Sequence, residues 1–162
     1  MLIINGKKRT ILVTGWKKER GEQSMRIISE KNYVDQAEKV MKELKQNGKE
    51  KKGKERSKNG DKEIRITTSK IRNILSMTIN ILNEVKEQRG EILPDSIMGQ
   101  ISYLKVRILY EAGRDRDVKE FVEKGNLVEI IESIEDKKSD YILFSHYIEA
   151  LVAFHKYYGG RD

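Results

Sequence analysis

The sequence predicts an all-α fold, a compact bundle of five to six helices with a small N-terminal β-hairpin extension. Three observations carry that prediction. Apolar residues recur at helical spacing from Tyr33 to Leu44, and again in successive blocks from Ile71 to Tyr158. Glycine or proline punctuates the blocks, at Gly90, Pro94, Gly113, Gly125 and Gly159. The 162 residues suit one hydrophobic core, and 37% hydrophobic against 36% charged residues keeps that core economical.

The opening residues are the exception to the helical pattern. Leu2 to Ile4 and Thr10 to Thr14 read as two short strands around Asn5-Gly6, a favoured type I′ turn pair. Such a hairpin is marginal alone, so residues 1–24 are expected to dock on the body or to stay loose. Residues 25–162 then form a single helical domain. Its first helix carries the stripe Tyr33, Val34, Ala37, Val40, Met41 and Leu44, with Asn32 placed as N-cap and Asp35 in the first turn. Residues 45–62 hold eight basic side chains, three glycines and no apolar residue, the composition of a flexible basic linker.

Beyond Ile64 the pattern is helical throughout. Thr67 and Thr68 can cap a helix whose core stripe is Ile71, Ile74, Leu75, Thr78, Leu82 and Val85, with Gly90 as its stop. Pro94 suits the first turn of the next helix, Asp95 to Ala112. That helix is apolar on nearly every side, which predicts a place at the centre of the bundle or half in an oligomer contact, and Gly113 is expected to end it. Two short helices follow around Phe121 and around Ile130, separated by Gly125. The last helix runs from an N-cap at Ser139 through Phe144, Ile148 and Leu151 to Tyr158, stopped by Gly159-Gly160.

Charge is distributed unevenly. Residues 1–62 contain 18 Lys and Arg against 9 Asp and Glu, whereas residues 63–162 contain 15 against 17. A basic arm on a near-neutral body suits a polyanion partner, because released counterions favour phosphate contact whatever the sequence; solubility alone is the competing explanation. The absence of cysteine excludes disulfides, thiol catalysis and thiolate metal sites. With no long apolar run and no signal-peptide pattern, the expected setting is soluble and cytoplasmic, with no membrane partner.

Motifs for catalysis are missing. The phosphate-loop, dinucleotide, zincin and serine-hydrolase signatures are all absent, so no catalytic residue is assigned and an enzyme is not expected. His146 and His155 lie nine residues apart on one helix, about half a turn out of phase, and cannot grip one metal together. No metal or other cofactor is expected. The carboxylates follow helix-surface logic, with Arg107/Glu111, Arg116/Glu120 and Lys119/Glu123 at four-residue spacing.

Four stretches together carry a family likeness: Thr67-Thr68-Ser69-Lys70-Ile71-Arg72, Tyr103-Leu104-Lys105-Val106-Arg107 running to Ala112-Gly113-Arg114, Val118-Lys119-Glu120-Phe121-Val122, and the ending from Tyr147 to Gly160. In this order they resemble the small subunit of type III-A CRISPR effector complexes, the Csm complexes. The resemblance covers roughly residues 64–162, and Tyr33 to Val40 is similar to that family's first helix. It implies an all-α, non-catalytic subunit of an antiviral ribonucleoprotein. Its partners would be guide RNA and target RNA, other copies of itself and the other Csm subunits, with cleavage and cyclic oligoadenylate synthesis left to those others.

Within the matching stretches the expected RNA-binding residues are Lys70, Arg72, Lys105, Arg107, Arg114 and Arg116. Lys70 and Arg72 flank the apolar stripe of their helix, so both heads can reach solvent. Lys105 and Arg107 interrupt an apolar helix, where a charge without a role is costly. Arg114 and Arg116 follow Gly113, in an expected loop suited to phosphate. Each has a plainer explanation as a helix-end charge or as the partner of a nearby carboxylate. A helical homodimer, joined through the apolar helix with no RNA contact, is the alternative reading of the whole chain.

Overall fold

The computed structural model describes residues 26–50 and 62–160. The predicted N-terminal hairpin and most of the basic linker lie outside these residues. Six helices make up the body: α1 (Tyr33–Gln46), α2 (Thr68–Glu87), α3 (Asp95–Arg114), α4 (Arg116–Lys124), α5 (Leu127–Glu132) and α6 (Lys138–Tyr157). A two-residue antiparallel ladder joins β1 (Lys49–Glu50) to β2 (Lys62–Glu63), so the chain on either side of residues 51–61 is paired. The all-α bundle expected from periodicity is the fold observed.

The central helix is α6, not α3. Against it pack α1 on one side and α2 on the other, and Tyr141, Phe144, Tyr147, Ile148 and Leu151 are buried along its length. Two buried hydroxyls tie α6 to its neighbours, Tyr141 Oη donating to Thr78 O at 2.9 Å and Tyr147 Oη to Gly125 O at 3.1 Å. Burial pushes both phenols above the ordinary tyrosine range, so they stay protonated donors. α3 instead lies against α2, α4 and α5 with one face, through Ile97, Ile101, Leu104, Ile108 and Ala112. Its opposite side leaves Tyr103, Val106, Leu109 and Tyr110 exposed.

Local chemistry sets the element ends. Thr67 caps α2 through Oγ1, which accepts from Lys70 N at 3.4 Å. At the other end Lys138 Nζ donates to the carbonyls of Lys86 and Gln88, at 3.1 and 2.8 Å. Pro94 is the N-cap of α3, which starts at Asp95 as expected. Gly113 does not end α3, since its backbone stays helical and the chain turns only at Asp115. Between α4 and α5 the left-handed residue is Asn126, with φ 49°, rather than the neighbouring glycine. Lys137 replaces the expected Ser139 as the N-cap of α6.

The Gly-Gly ending closes α6 in a Schellman motif. Gly159 takes φ +78°, Gly160 N–H donates to His155 O at 2.8 Å, and Gly159 N–H donates to Lys156 O at 3.2 Å. Directly beneath, the fully buried His155 donates from Nε2 to Ile66 O at 2.8 Å, pinning the segment before α2 to the core. Only a proton on Nε2 satisfies a carbonyl partner, which fixes the ring's donor. A Cβ on Gly160 would overlap that ring, so any other residue there must displace the His155 side chain.

Candidate nucleic-acid interface

The helices α2 and α3 run side by side and leave a groove along their solvent-facing seam. One stretch of about 390 Å³ is bordered by Met77, Asn80, Gln100, Tyr103 and Arg107. A second, of about 230 Å³, lies between Lys70 and Asn73 on α2 and Glu111 and Arg114 on α3. The structure therefore gathers three of the six predicted basic groups, Lys70, Arg107 and Arg114, along one seam.

Lys70 is the most constrained of the six. Its ammonium lies 2.6 Å from Asp115 Oδ2 and 3.9 Å from Asp117. Asp115 is also the N-cap of α4, accepting from Asp117 N–H at 3.0 Å and Val118 N–H at 3.1 Å through Oδ1. The Lys70 hydrogen bond, aided by the Val118 N–H, holds the Asp115 carboxyl below the ordinary aspartate value of 3.8. Arg114 is looser. It stands 3.9 Å from Glu111, and its guanidinium lies over the Tyr110 ring, 5.7 Å from the centroid.

The remaining arginines depart from the pairing that spacing suggests. Glu120, the expected partner of Arg116, instead faces Arg65 at 3.8 Å and accepts from Asn47 at 3.4 Å. Glu111 lies beside Arg114 rather than Arg107. Among the described residues Arg72, Arg107 and Arg116 are exposed and make no ion pair. Arg116 opens α4 instead of sitting in a loop. Arg107 is on the outer side of α3, so its charge never bears the burial cost that the sequence suggests. Lys105 is not part of the seam: two residues from Arg107 is about 200° around the helix, and it reaches Glu132 of α5 at 3.2 Å.

Sequence reasoning misses the tyrosines. Periodicity groups Tyr103 and Tyr110 with the apolar residues of α3, yet they are 61% and 62% exposed. The available signal is their spacing with arginine, 103, 107, 110 and 114, which keeps one helical face. The histidines have packing roles: His146 rests 6.2 Å from the Tyr33 ring, and His155 is in the core. Among the described residues no cluster of three or more acidic or histidine side chains could hold a metal, and no helix is long and apolar enough to cross a membrane.

Comparison with known proteins identifies the family. The family model described as Csm2 Type III-A matches residues 28–161, taking in all six helices and all six predicted basic side chains. The chain belongs to the type III-A Csm2 family. The CRISPR system Cms protein Csm2 of Streptococcus thermophilus is 36% identical over 138 residues, covering 85% of this chain and 100% of that protein. The protein of the same name from Mycobacterium tuberculosis is 33% identical over 138 residues, covering 85% of this chain and 99% of its own length. That of Enterococcus italicus is 32% identical over 99 residues, 60% of this chain and 71% of its own. The resemblance drawn from Lys70, Arg107 and their surroundings thus points to the family that the whole-chain comparison shows. A Csm2-family chain is a small subunit of a type III-A Csm complex.

Proposed function

We propose that this subunit is non-catalytic and binds the backbone of the guide RNA/target RNA duplex without reading its sequence, helping to assemble the interference complex in antiviral defence. The observation that carries the reading is that Arg72, Arg107 and Arg116 present exposed guanidiniums without carboxylate partners among the described residues. An arginine paired on the protein surface already has its charge compensated. An unpaired one offers a planar donor fork to phosphate and releases counterions on contact. Lys70 and Arg114 border the same seam as Arg107 beside Asp115 and Glu111, and Lys105 lies on the α5 side of α3 beside Glu132, so the reading takes these three as secondary contacts to the RNA. Base pairing between guide and target carries the sequence information, so the subunit needs only shape and charge.

Its partners are the other Csm subunits, further copies of itself and the paired RNAs, in the cytoplasm. Reconstitution tests the reading. Complexes built with Arg72, Arg107 and Arg116 replaced by Ala in pairs are expected to assemble normally and to bind target RNA more weakly. Equal affinity in every pair would remove the RNA-binding role.

A second reading has its own observation. Val106 and Leu109 are 53% and 48% exposed on α3, which favours a helical protein–protein contact such as a homodimer. Salt separates the two readings: a phosphate contact weakens steeply as salt rises, whereas an apolar contact responds little.

A further inference from the structure

The outward stripe of α3 alternates aromatic and cationic residues. Tyr103, Arg107, Tyr110 and Arg114 are spaced by four, three and four, so all four lie within a sector of about 60° on the helix. Both rings are more than half exposed, and neither contributes to the core. Arg114 covers part of the Tyr110 ring, and Arg107 borders the same groove as Tyr103. Glu111, 3.9 Å from Arg114, flanks the stripe, which itself carries no carboxylate.

We propose that this stripe is a stacking platform for unpaired RNA bases, with Tyr103 and Tyr110 as the stacking rings and Arg107 and Arg114 as phosphate contacts between them. The inference rests on the RNA-binding reading above and narrows its ligand. A duplex keeps its base faces covered by neighbouring bases and offers none to a ring. A single-stranded or extruded nucleotide offers a whole π-face, and stacking on it needs no particular base. Alternation with arginine supplies the charge that follows such a strand. The groove beside the rings is bordered by the amides of Asn80 and Gln100; Gln100 Nε2 donates to Glu84 at 2.7 Å, which leaves its carbonyl to accept from base edges, while Asn80 can donate and accept. Val106 and Leu109 stand off the stripe on the neighbouring flank of α3, so a protein contact there and an RNA contact here are compatible.

The test uses the full chain, a short labelled single-stranded RNA of mixed sequence, and the same RNA annealed to its complement. Tyr103→Ala and Tyr110→Ala should each weaken single-strand binding between about fivefold and about a hundredfold, with little change for the duplex and no change in salt slope. Tyr103→Phe and Tyr110→Phe should retain affinity, because the ring is kept. Arg107→Ala should flatten the salt slope for both ligands. If neither tyrosine-to-alanine change moves single-strand affinity while Arg107→Ala flattens the slope, the platform is wrong and backbone binding stands. If the arginine variant is also silent, or the wild type binds neither RNA, both readings fall. If the alanine variants keep RNA affinity but convert a dimer to monomer in sedimentation, the rings belong to a protein contact and the platform is overturned.

Discussion

Asp115 joins the capping of α4 to the position of Lys70, and replacing it separates those two roles. Asp115→Ala removes the acceptor of two backbone N–H groups at the start of a nine-residue helix, together with the 2.6 Å contact to Lys70. Losing an N-cap costs about 1 kcal/mol. The ion pair, with side chains 35% and 28% exposed, adds at most about 1 kcal/mol. A total near 2 kcal/mol lowers the thermal midpoint of a chain this size by about 4–8 °C.

Asp115→Asn keeps the cap and loses only the charge, so its cost should be no more than about 1 kcal/mol. Thermal and urea unfolding followed by circular dichroism give both values. The pH dependence has a defined sign. Because Lys70 and Val118 depress the folded-state value of Asp115, its charge stabilises the fold fully above 3.8, and that contribution disappears as pH falls through the folded-state value. The gap between wild type and Asp115→Asn should therefore be constant near neutrality and close in acid. Equal losses for Asn and Ala would show that the cap does not matter, and unchanged midpoints for both would refute the geometry. On the RNA-binding account Asp115→Asn also frees Lys70, so RNA affinity should rise while stability falls.

Three further outcomes follow from the packing. His155→Leu leaves the carbonyl of Ile66 buried without its donor and should cost about 1–3 kcal/mol, read from the urea midpoint. Tyr141→Phe removes the hydrogen bond to Thr78 O and should cost about 1 kcal/mol by the same measurement. Gly48→Ala would drive a Cβ into Glu63 O, so the β1–β2 ladder must open; amide exchange at Glu50 and Glu63 should accelerate while the α6 core keeps its protection.

Much of the fold was legible because helical periodicity survives in single segments. Tyr33 to Leu44 and Ile71 to Val85 each show one apolar stripe, and each became a helix buried along most of it, with Val34 in the first turn of α1 left exposed. The order of layers was not legible. Both α3 and α6 are rich in apolar residues, and which one occupies the centre depends on the partners that α1 and α2 select in space. α6 fills the centre with Tyr141, Phe144 and Tyr147, and its two tyrosine hydroxyls find carbonyls in the neighbouring elements, whereas α3 turns its tyrosines outward. Gly113 misled as a helix stop because glycine ends a helix only where the chain needs a left-handed residue or a close approach, and Gly113 has neither.

The candidate site was legible as residue types rather than as pairings. Four-residue spacing assigned Glu111 to Arg107 and Glu120 to Arg116, but Arg114 and Arg65 stand beside those carboxylates instead. Helical pairs contribute only a few tenths of a kcal/mol, so tertiary neighbours readily displace them. That displacement leaves the Arg107 and Arg116 guanidiniums open.

Replacing Arg72, Arg107 and Arg116 together by Gln and measuring target-RNA affinity of the reconstituted complex against salt tests the central claim most directly. With three cations removed from the phosphate backbone, the slope of log affinity on log salt should become shallower by about 2–3, with normal assembly. An unchanged slope in a normally assembled complex would contradict the claim that these arginines hold the RNA backbone.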